Sequence, residues 1–386
     1  MSLAQPIAAL PFSRRGACPS LDEPMRTGDG LLARLRIVGG RLGPEQLKAI
    51  AQQARQHGNG LLEITARGNL QVRGLTEQSS RLFARAIMGI VAIETGLVVE
   101  TPPLGGDDPS EFSDPRPLAE AIRNMAQPFA GLLGPKVTII VDGGGQISLS
   151  GLKADIRLVA VAAGRWHLFV AEGTAEELAF SEALARVSEL LQQLAGLGPT
   201  ARAADLVPPS KQSQAQAGSS PIGDFTLRSS VAAGVALPFG SIAAEDLAAL
   251  ACTAGQMGVT EIRLAPHHGL LAIGAGTAFT QRAAQLGFIT TSSDPRTRIS
   301  ACIGSDGCAS GHIPARVLAA RIAAHLPEKT RLHVSGCAKG CAHPPPADIT
   351  LVGRADGYGL VIGGKAGDTP RTVLQADQLE SSLAAR

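Results

Sequence analysis

The amino-acid sequence contains the same segment twice, 200 residues apart. Residues 42–74 (LGPEQLKAIAQQARQHGNGLLEITARGNLQVRG) align without a gap with residues 242–274 (IAAEDLAALACTAGQMGVTEIRLAPHHGLLAIG), and nine of the 33 positions are identical. Each copy begins with an acidic residue at a helix start and continues with apolar residues at helical spacing. A glycine then ends the helix, and a strand with alternating side chains follows. Each copy therefore predicts a β-α-β unit, and the chain is predicted to fold as two related halves.

A second correspondence extends the repeat. Residues 141–159 (VDGGGQISLSGLKADIRLV) match residues 334–352 (VSGCAKGCAHPPPADITLV) at an offset of 193. Between the halves, residues 199–222 carry the Pro, Ser, Gln and Ala composition that is typical of linkers. We therefore predict a domain boundary in this segment.

Charge and hydrophobicity exclude several classes of protein. The 386 residues include 35 Lys and Arg against 33 Asp and Glu, a net charge of +2, so neither nucleic acid nor a membrane surface is expected as a partner. No apolar run is long enough to span a bilayer. Arg14 and Arg15 follow a weakly apolar stretch, whereas in a secretory signal they would precede it. We expect a cytoplasmic protein with reduced thiols.

Four of the six cysteines lie close together in the sequence: Cys302, Cys308, Cys337 and Cys341. Their spacing is C-x5-C, a gap of 28 residues, and C-x3-C. Four thiolates on two loops can bind a 4Fe-4S cluster or a structural zinc ion, and unrelated buried thiols are a third interpretation. The spacing favours iron because zinc sites typically use loops of two to four residues, and the first loop here is longer.

Three further motifs, together with the cysteines, connect the chain to a known family. They are RRGACPSLDEPMRTGDGLLARLRI (14–37), VDGGG (141–145) and HVSGCAKGCAHP (333–344), with ITARGNLQ (64–71) on a predicted strand. By these motifs the chain resembles the sulfite and nitrite reductase superfamily and, within it, the family of precorrin-3B synthases. The resemblance implies an α+β fold with two ferredoxin-like halves in one central sheet plus two α/β lobes.

The implied domain boundaries follow the repeat. Residues 1–75 would form the N-terminal segment and first half, 76–198 the first lobe without cluster cysteines, 199–222 the linker, 223–290 the second half, and 291–386 the lobe with the iron–sulfur site.

The resemblance also implies an activity, cofactors and partners. It implies an O₂-dependent monooxygenase that hydroxylates precorrin-3A at carbon 20, with γ-lactone formation, in aerobic cobalamin biosynthesis. A 4Fe-4S cluster would be held by the four cysteines, and a mononuclear non-haem iron would activate O₂. Such iron commonly takes two histidines and a carboxylate, and the candidates are His267, His268, His312 and His343.

The source of electrons and the oligomeric state can also be predicted. No G-x-G-x-x-G with a downstream acid follows a predicted strand, so NADH-derived electrons are expected to arrive through an unknown donor protein. The duplicated halves supply a two-fold arrangement within one chain, which is compatible with a monomer.

Candidate substrate-binding residues come from strand periodicity and from the resemblance. Arginine forks suit the carboxylates of a tetrapyrrole, and residues two apart on a strand share a face. Arg67 also falls on the T-x-R position of the superfamily. The candidates are Arg34, Arg36, Arg67, Asn69, Gln71, Arg73 and Lys136.

Two departures distinguish the chain from sulfite and nitrite reductases. The G-C-P-N-x-C motif of those enzymes reads G-C-A-K-G-C here, and their lysine pair reads Lys136, Val137 and Thr138, with one charge lost. The loss favours a bulky substrate over a small oxyanion. A sirohaem-dependent sulfite or nitrite reductase remains the first alternative, and a zinc-stabilised binding protein the second.

Overall fold

The computed structural model describes residues 19–171, 173–207 and 219–384. The beginning of the N-terminal motif, 14–18, and the central part of the predicted linker lie outside the described residues. The first half contains β1 (Met25–Thr27), β2 (Gly30–Leu35), β3 (Arg41–Leu42), α1 (Pro44–His57), β4 (Leu61–Ile64), β5 (Leu70–Leu75) and α2 (Glu77–Met88). The first lobe contains β6 (Val98–Glu100), α3 (Arg116–Met125), β7 (Thr138–Asp142), β8 (Ile156–Ala162), β9 (Arg165–Val170), β10 (Glu176–Ala179) and α4 (Phe180–Leu197).

The second half and the second lobe repeat this order of elements. The half contains β11 (Gly223–Thr226), β12 (Val231–Ala236), β13 (Ser241–Ala243), α5 (Ala244–Gln256), β14 (Glu261–Ala265), β15 (Gly269–Ile273) and α6 (Thr277–Gln285). The lobe contains β16 (Ile299–Ala301), α7 (Ala315–Ile322), β17 (Leu332–Ser335), β18 (Ala347–Arg354), β19 (Gly357–Gly364), β20 (Thr372–Leu374) and α8 (Leu379–Ala384). The predicted duplication is confirmed.

The central sheet that the resemblance implies consists of two five-stranded units that exchange one strand. Their orders are β1-β2-β5-β4-β13 and β11-β12-β15-β14-β3. Ile242 of β13 pairs with Leu62 of β4, and Leu42 of β3 pairs with Ile262 of β14. Because each exchanged strand completes the sheet of the other half, the two halves depend on each other for their edges.

The central core is built by equivalent helix faces from both halves. α1 buries Leu47, Ile50, Ala51 and Ala54, which lie three or four residues apart and therefore share one face. α5 buries Leu247, Leu250, Ala251 and Ala254 in the same core. Phe83 and Ile87 of α2 also join this core. The first half therefore continues through α2, beyond the boundary predicted at residue 75.

Each lobe contains one five-stranded sheet in which the first three strands run parallel. Ile139 pairs with Ile156 in the first lobe and Leu332 pairs with Ile349 in the second, which reproduces the offset of 193 seen in the sequence. Since the carboxyl ends of parallel strands meet at one edge of a sheet, the loops after β16 and β17 lie side by side.

The start of the predicted linker packs on the first lobe. Ala201 and Ala203 are buried in the core of that lobe, and the Arg202 guanidinium donates to the Asp155 carboxylate at 2.8 and 2.9 Å. The lobe therefore extends beyond residue 199, where the linker was predicted to begin. Among the described residues, no helix has the length and hydrophobicity needed to cross a membrane.

Candidate functional site

The four cysteines of the C-x5-C and C-x3-C pair lie on the two loops that follow β16 and β17. The backbone N–H of Gly336 donates to Sγ of Cys302 at 3.1 Å. A Cβ atom on Gly336 would lie 2.7 Å from Cα of Gly304, so only glycine permits this approach of the two loops. The glycines of the cysteine motifs therefore bring one loop into contact with the sulfur of the other.

The thiols influence each other electrostatically. Burial raises the pKa of Cys341, and the neighbouring thiols of Cys337, Cys302 and Cys308 raise it further. Cys341 is nevertheless exposed, whereas the other three cysteines are half-buried. Four neighbouring sulfurs can be ionised together only when a cationic group binds them as thiolates.

The arrangement suits a cluster better than a single ion. Zinc requires each sulfur about 2.3 Å from one point. Within residues 19–171, 173–207 and 219–384, no three His, Cys, Asp or Glu side chains converge closely enough to hold one metal ion. A 4Fe-4S cluster spreads its four thiolate ligands over four iron atoms. Four coupled thiols and a backbone donor on sulfur fit that group.

A histidine lies beneath the second cysteine loop. His333 of β17 is completely buried, and neither of its ring nitrogens has a hydrogen-bond partner among the described residues. Burial lowers its pKa to about 4, with a smaller contribution from His343, so the imidazole is neutral. The rings of His333 and His343 meet edge to face with centroids 5.7 Å apart.

The cysteine loop of the second lobe docks on the first half. A Cβ on Gly28, in the turn between β1 and β2, would lie 2.4 Å from the backbone N of Ala309 and 2.7 Å from Cα of Cys308. Arg73 of β5 donates to the carbonyl of Gly307 at 3.2 Å. The cysteine site therefore lies at the interface between the second lobe and one face of the first half. We call this the polar face; it carries Arg34, Glu63, Gln71 and Arg73.

That polar face carries a connected network. Nε of Arg34 donates to Gln71 at 2.8 Å, and the Gln71 amide donates to Glu63 at 2.8 Å. Arg316, in the first turn of α7, donates to the other oxygen of Glu63 at 2.6 Å. Glu63, Gln71 and Arg73 are buried. A buried charge needs a hydrogen-bonded partner. For the Glu63 carboxylate, Arg316 of the second lobe is that partner.

Arg73, on the same polar face, is neutralised by the carboxylate of Asp29. Its guanidinium forms two bonds to Asp29, at 2.9 and 2.7 Å. Burial acts to raise the pKa of Asp29, but the bonds from Arg73 and Thr27 outweigh it, and the pKa lies below its usual value. Asp29 is therefore ionised and holds the arginine in place.

The other candidate substrate residues lie in three places. Residues 64–71 do not form the single strand that was predicted, because a turn at 65–69 separates β4 from β5 and contains Arg67 and Asn69. Arg67 forms a bidentate pair with Glu100 and donates to the carbonyl of Lys153 at 2.8 Å. Arg36 donates to the carbonyls of residues 94 and 96, both at 3.2 Å. Asn69 lies with Arg67 in a small cavity of about 70 Å³.

Lys136 is not brought together with the arginines. It is exposed and precedes β7, whereas the loop that faces the halves follows the carboxyl end of the same strand. The strand separates the two ends by about 16 Å at 3.3 Å per residue.

Comparison with known proteins identifies the family. Residues 23–83 match the nitrite/sulfite reductase ferredoxin-like half domain, and residues 292–379 match the nitrite and sulphite reductase 4Fe-4S domain. A precorrin-3B synthase from Sinorhizobium is 38% identical, covering 96% of this chain and 88% of the relative. The chain belongs to the precorrin-3B synthase family. The second lobe, with all four cysteines, is its iron–sulfur domain.

More distant relatives show the wider superfamily. A ferredoxin–nitrite reductase from Synechococcus elongatus is 24% identical, covering 87% of this chain and 80% of the relative. The solved structure of the Mycobacterium tuberculosis NirA protein matches with a TM-score of 0.65 at 18% identity, covering 91% of this chain and 79% of that one. The fold predicted from the resemblance is thus confirmed.

The equivalent loops of the first lobe lack cysteines in this member of the precorrin-3B synthase family. Asp108, at the position equivalent to Cys308, is buried and accepts a hydrogen bond from the Gln146 amide at 3.0 Å. Burial raises the pKa of nearby Glu111 to about 7, and Asp108 and Asp114 add to the effect. A carboxylate–amide contact therefore joins the two loops where thiols lie in the second lobe.

The candidate iron ligands do not converge. His267 and His268 occupy the turn between β14 and β15, where Nδ1 of His268 lies 2.6 Å from the carbonyl of Ile64. His312 and His343 lie on the cysteine loops of the second lobe. Since no three metal-binding side chains converge in the described part of the chain, the arrangement does not fit a mononuclear iron with two histidines and a carboxylate.

Sequence reasoning missed the carboxylates that neutralise the arginines: Asp29, Glu63 and Glu100. A signal existed for Glu63, because it lies directly across from Gln71 in the antiparallel pair of β4 and β5 and so shares the polar face. Asp29 comes from a turn and Glu100 from the lobe, and no local pattern connects either with its arginine. Arg316 was missed for the same reason.

Proposed function

We propose that this chain catalyses the reaction of precorrin-3B synthase. It would hydroxylate precorrin-3A at carbon 20, with formation of a γ-lactone, in aerobic cobalamin biosynthesis, and one oxygen atom would come from O₂. The observation that carries the proposal is the 38% identity to the Sinorhizobium precorrin-3B synthase over 96% of this chain. The four-cysteine site at the polar face of the first half supports it.

We assign the cluster to Cys302, Cys308, Cys337 and Cys341. When bound, a 4Fe-4S cluster supplies single electrons. The insertion of one atom of O₂ leaves the second atom to be reduced to water, which requires two electrons and two protons. NADH-derived electrons would arrive through a donor protein. The described residues supply no ligand set for a mononuclear iron, so no residue is assigned to O₂ activation.

The substrate would bind through its carboxylates. Arg34, Arg36, Arg67, Asn69 and Gln71 are the proposed contacts. Arg73 is already neutralised by Asp29, so its proposed role is to order the face. Arg67 is paired with Glu100, and a substrate carboxylate would replace Glu100 in the same bidentate geometry. Lys136 lies too far from this face to take part.

A cytoplasmic location is proposed because the four thiols must remain reduced until iron binds. A monomer is proposed from the duplication, since the second half supplies the exchanged strand that a partner subunit would otherwise provide.

The decisive experiment combines composition with turnover. Protein purified anaerobically should contain iron and acid-labile sulfide, a broad absorbance near 400 nm as thiolate-bound iron gives, and no extractable sirohaem. With precorrin-3A under ¹⁸O₂ the product should carry one labelled oxygen from the gas. Unlabelled product, or no turnover by cluster-containing protein, would refute the assignment.

A sirohaem-dependent nitrite or sulfite reductase is the second candidate. The Synechococcus nitrite reductase and the fold shared with NirA favour it. The missing Pro-Asn step beside Cys337 and the threonine at position 138 weigh against it. This candidate predicts a sharp Soret band, sirohaem in an acid–acetone extract, and reduction of nitrite or sulfite by reduced methyl viologen. Protein containing zinc without iron would instead support a zinc-stabilised binding protein, which the five-residue loop between Cys302 and Cys308 disfavours.

A further inference from the structure

His333 has no explained partner although it is one of the most deeply buried polar side chains. It lies on β17 between Leu332 and Val334, whose side chains point to the opposite face and pack in the core of the second lobe. Its relative exposure is 0%, and both ring nitrogens lack a partner among the described residues. A neutral imidazole carries one N–H donor, and buried donors in native proteins are satisfied with few exceptions.

The ring lies directly beneath the loop that carries Cys337 and Cys341. A Cβ on Gly340, the residue before Cys341, would lie 3.6 Å from Cε1 of His333 and 3.2 Å from Cβ of Ala366. Ser335 is on the same face of β17 and donates to the carbonyl of Cys337 at 2.6 Å. Alternate residues of one strand therefore support this loop from below.

Neighbouring polar groups already have other partners. Thr350, which pairs with His333 across the sheet, donates its hydroxyl to the carbonyl of Gly364 at 2.9 Å. Nε2 of His343 lies 3.4 Å from the carbonyl of Pro346. A 4Fe-4S cluster bound by the cysteine loops would supply sulfur atoms as acceptors. The backbone N–H of Gly336 already donates to one cysteine sulfur, Sγ of Cys302.

We propose that the ring N–H of His333 donates a hydrogen bond to a sulfur atom of the bound cluster. Reduction adds negative charge to the cluster, so a donor at sulfur stabilises the reduced form more than the oxidised form and raises the reduction potential. His333 thereby sets the potential at which the cluster accepts electrons. The inference rests on the proposed function only in that the four cysteines must hold a cluster.

The test is a redox titration of the anaerobically purified protein, followed by electron paramagnetic resonance. His333→Phe keeps a ring of similar size and removes both nitrogens, whereas His333→Gln retains an N–H donor. We expect His333→Phe to lower the equilibrium constant for reduction about tenfold, which is about 59 mV for one electron. His333→Gln should recover part of this shift. His325→Phe is the control, because His325 is exposed and faces Glu380 at 3.6 Å, and its potential should equal that of the wild type.

Cluster content and potential separate the two proposals. Wild-type protein without a cluster would refute the proposed function itself. A full cluster with an unchanged potential in His333→Phe would overturn only the hydrogen bond. If both variants lose the cluster, His333 merely fills the space beneath the loop, and the inference is also overturned.

Discussion

Gly28→Ala should damage the cysteine site although residue 28 lies in the other half of the molecule. The added Cβ would lie 2.4 Å from the backbone N of Ala309, and ordinary contacts begin at 3.4 Å, so the two backbones must separate by about 1 Å. Both partners are main chain, and no side-chain rotamer can absorb the movement. Overpacking of this kind costs about 1–3 kcal/mol, and a functional site tolerates displacements of only about 0.5 Å. We therefore expect lower stability and lower cluster occupancy.

The assay measures iron and acid-labile sulfide per chain, the absorbance near 400 nm and the midpoint of thermal unfolding. Gly196→Ala is the matched control, because a Cβ at that position in α4 meets nothing within 4 Å, and alanine should stabilise the helix by about 0.5–1 kcal/mol. Wild-type iron content together with an unchanged midpoint in Gly28→Ala would refute the docking of the Cys308 loop on the first half.

Three other perturbations test different parts of the site. Cys337→Ser should abolish the cluster absorbance and turnover, because serine supplies no thiolate; retained activity would contradict the ligand assignment. Arg67→Ala should raise KM for precorrin-3A about tenfold, equivalent to about 1.4 kcal/mol, whereas Lys136→Ala should leave KM unchanged; equal effects would refute the proposed binding face. Glu111 has a folded pKa of about 7, raised from 4.5 mainly by burial, so stability should fall as the pH rises from 4.5 to 7. Because the carboxyl is only half-buried and solvent screens it, the loss should be well below the roughly 3 kcal/mol of the full shift. Glu111→Gln should flatten that decline in thermal scans, and an unaltered slope would show that the carboxyl is solvated.

The sequence predicted the order of elements because several of the repeated positions are core positions. Leu47, Ala51 and Ala54 recur as Leu247, Ala251 and Ala254, and all six face the central core. Burial on one helix face leaves a periodic pattern that survives divergence of the surface. The strand exchange could not be predicted in the same way. β3 and β13 contain two and three residues, which is too short for a period, and their pairing depends on tertiary contacts alone.

The candidate site was predictable only within single elements. Strand alternation placed Gln71 and Arg73 on one face of β5, because that rule follows from local geometry. It was wrong for Arg67 and Asn69, which lie in the turn before this strand. The same rule could not predict that Asp29 and Arg316 pair with this face, because Asp29 lies in a turn and Arg316 in the second lobe. Lys136 was assigned from the position of a motif, and the direction of its strand then placed it at the far edge. Local periodicity fixes which way a side chain points, whereas its partners depend on how distant segments pack.

One pair of equivalent positions shows how two related halves can dock on different lobes. Glu63 in the first half corresponds to Arg263 in the second, and both are buried. Glu63 accepts from Arg316 of the second lobe at 2.6 Å, whereas Arg263 donates to Asp107 of the first lobe at 2.6 Å.

The exchange of charge makes the two interfaces non-interchangeable. Arg116 occupies the position in the first lobe equivalent to Arg316, and it pairs with Asp114 of its own lobe. If the first half docked on the first lobe, Glu63 would approach Asp107; if the second half docked on the second lobe, Arg263 would approach Arg316. Each like-charged pair would repel, and Glu63 and Arg263 would each lose the opposite charge that the other lobe now supplies. The inverted pair therefore directs the cysteine-bearing lobe to the half that presents Arg34, Gln71 and Arg73, and keeps the iron–sulfur site on the same side as the proposed substrate contacts.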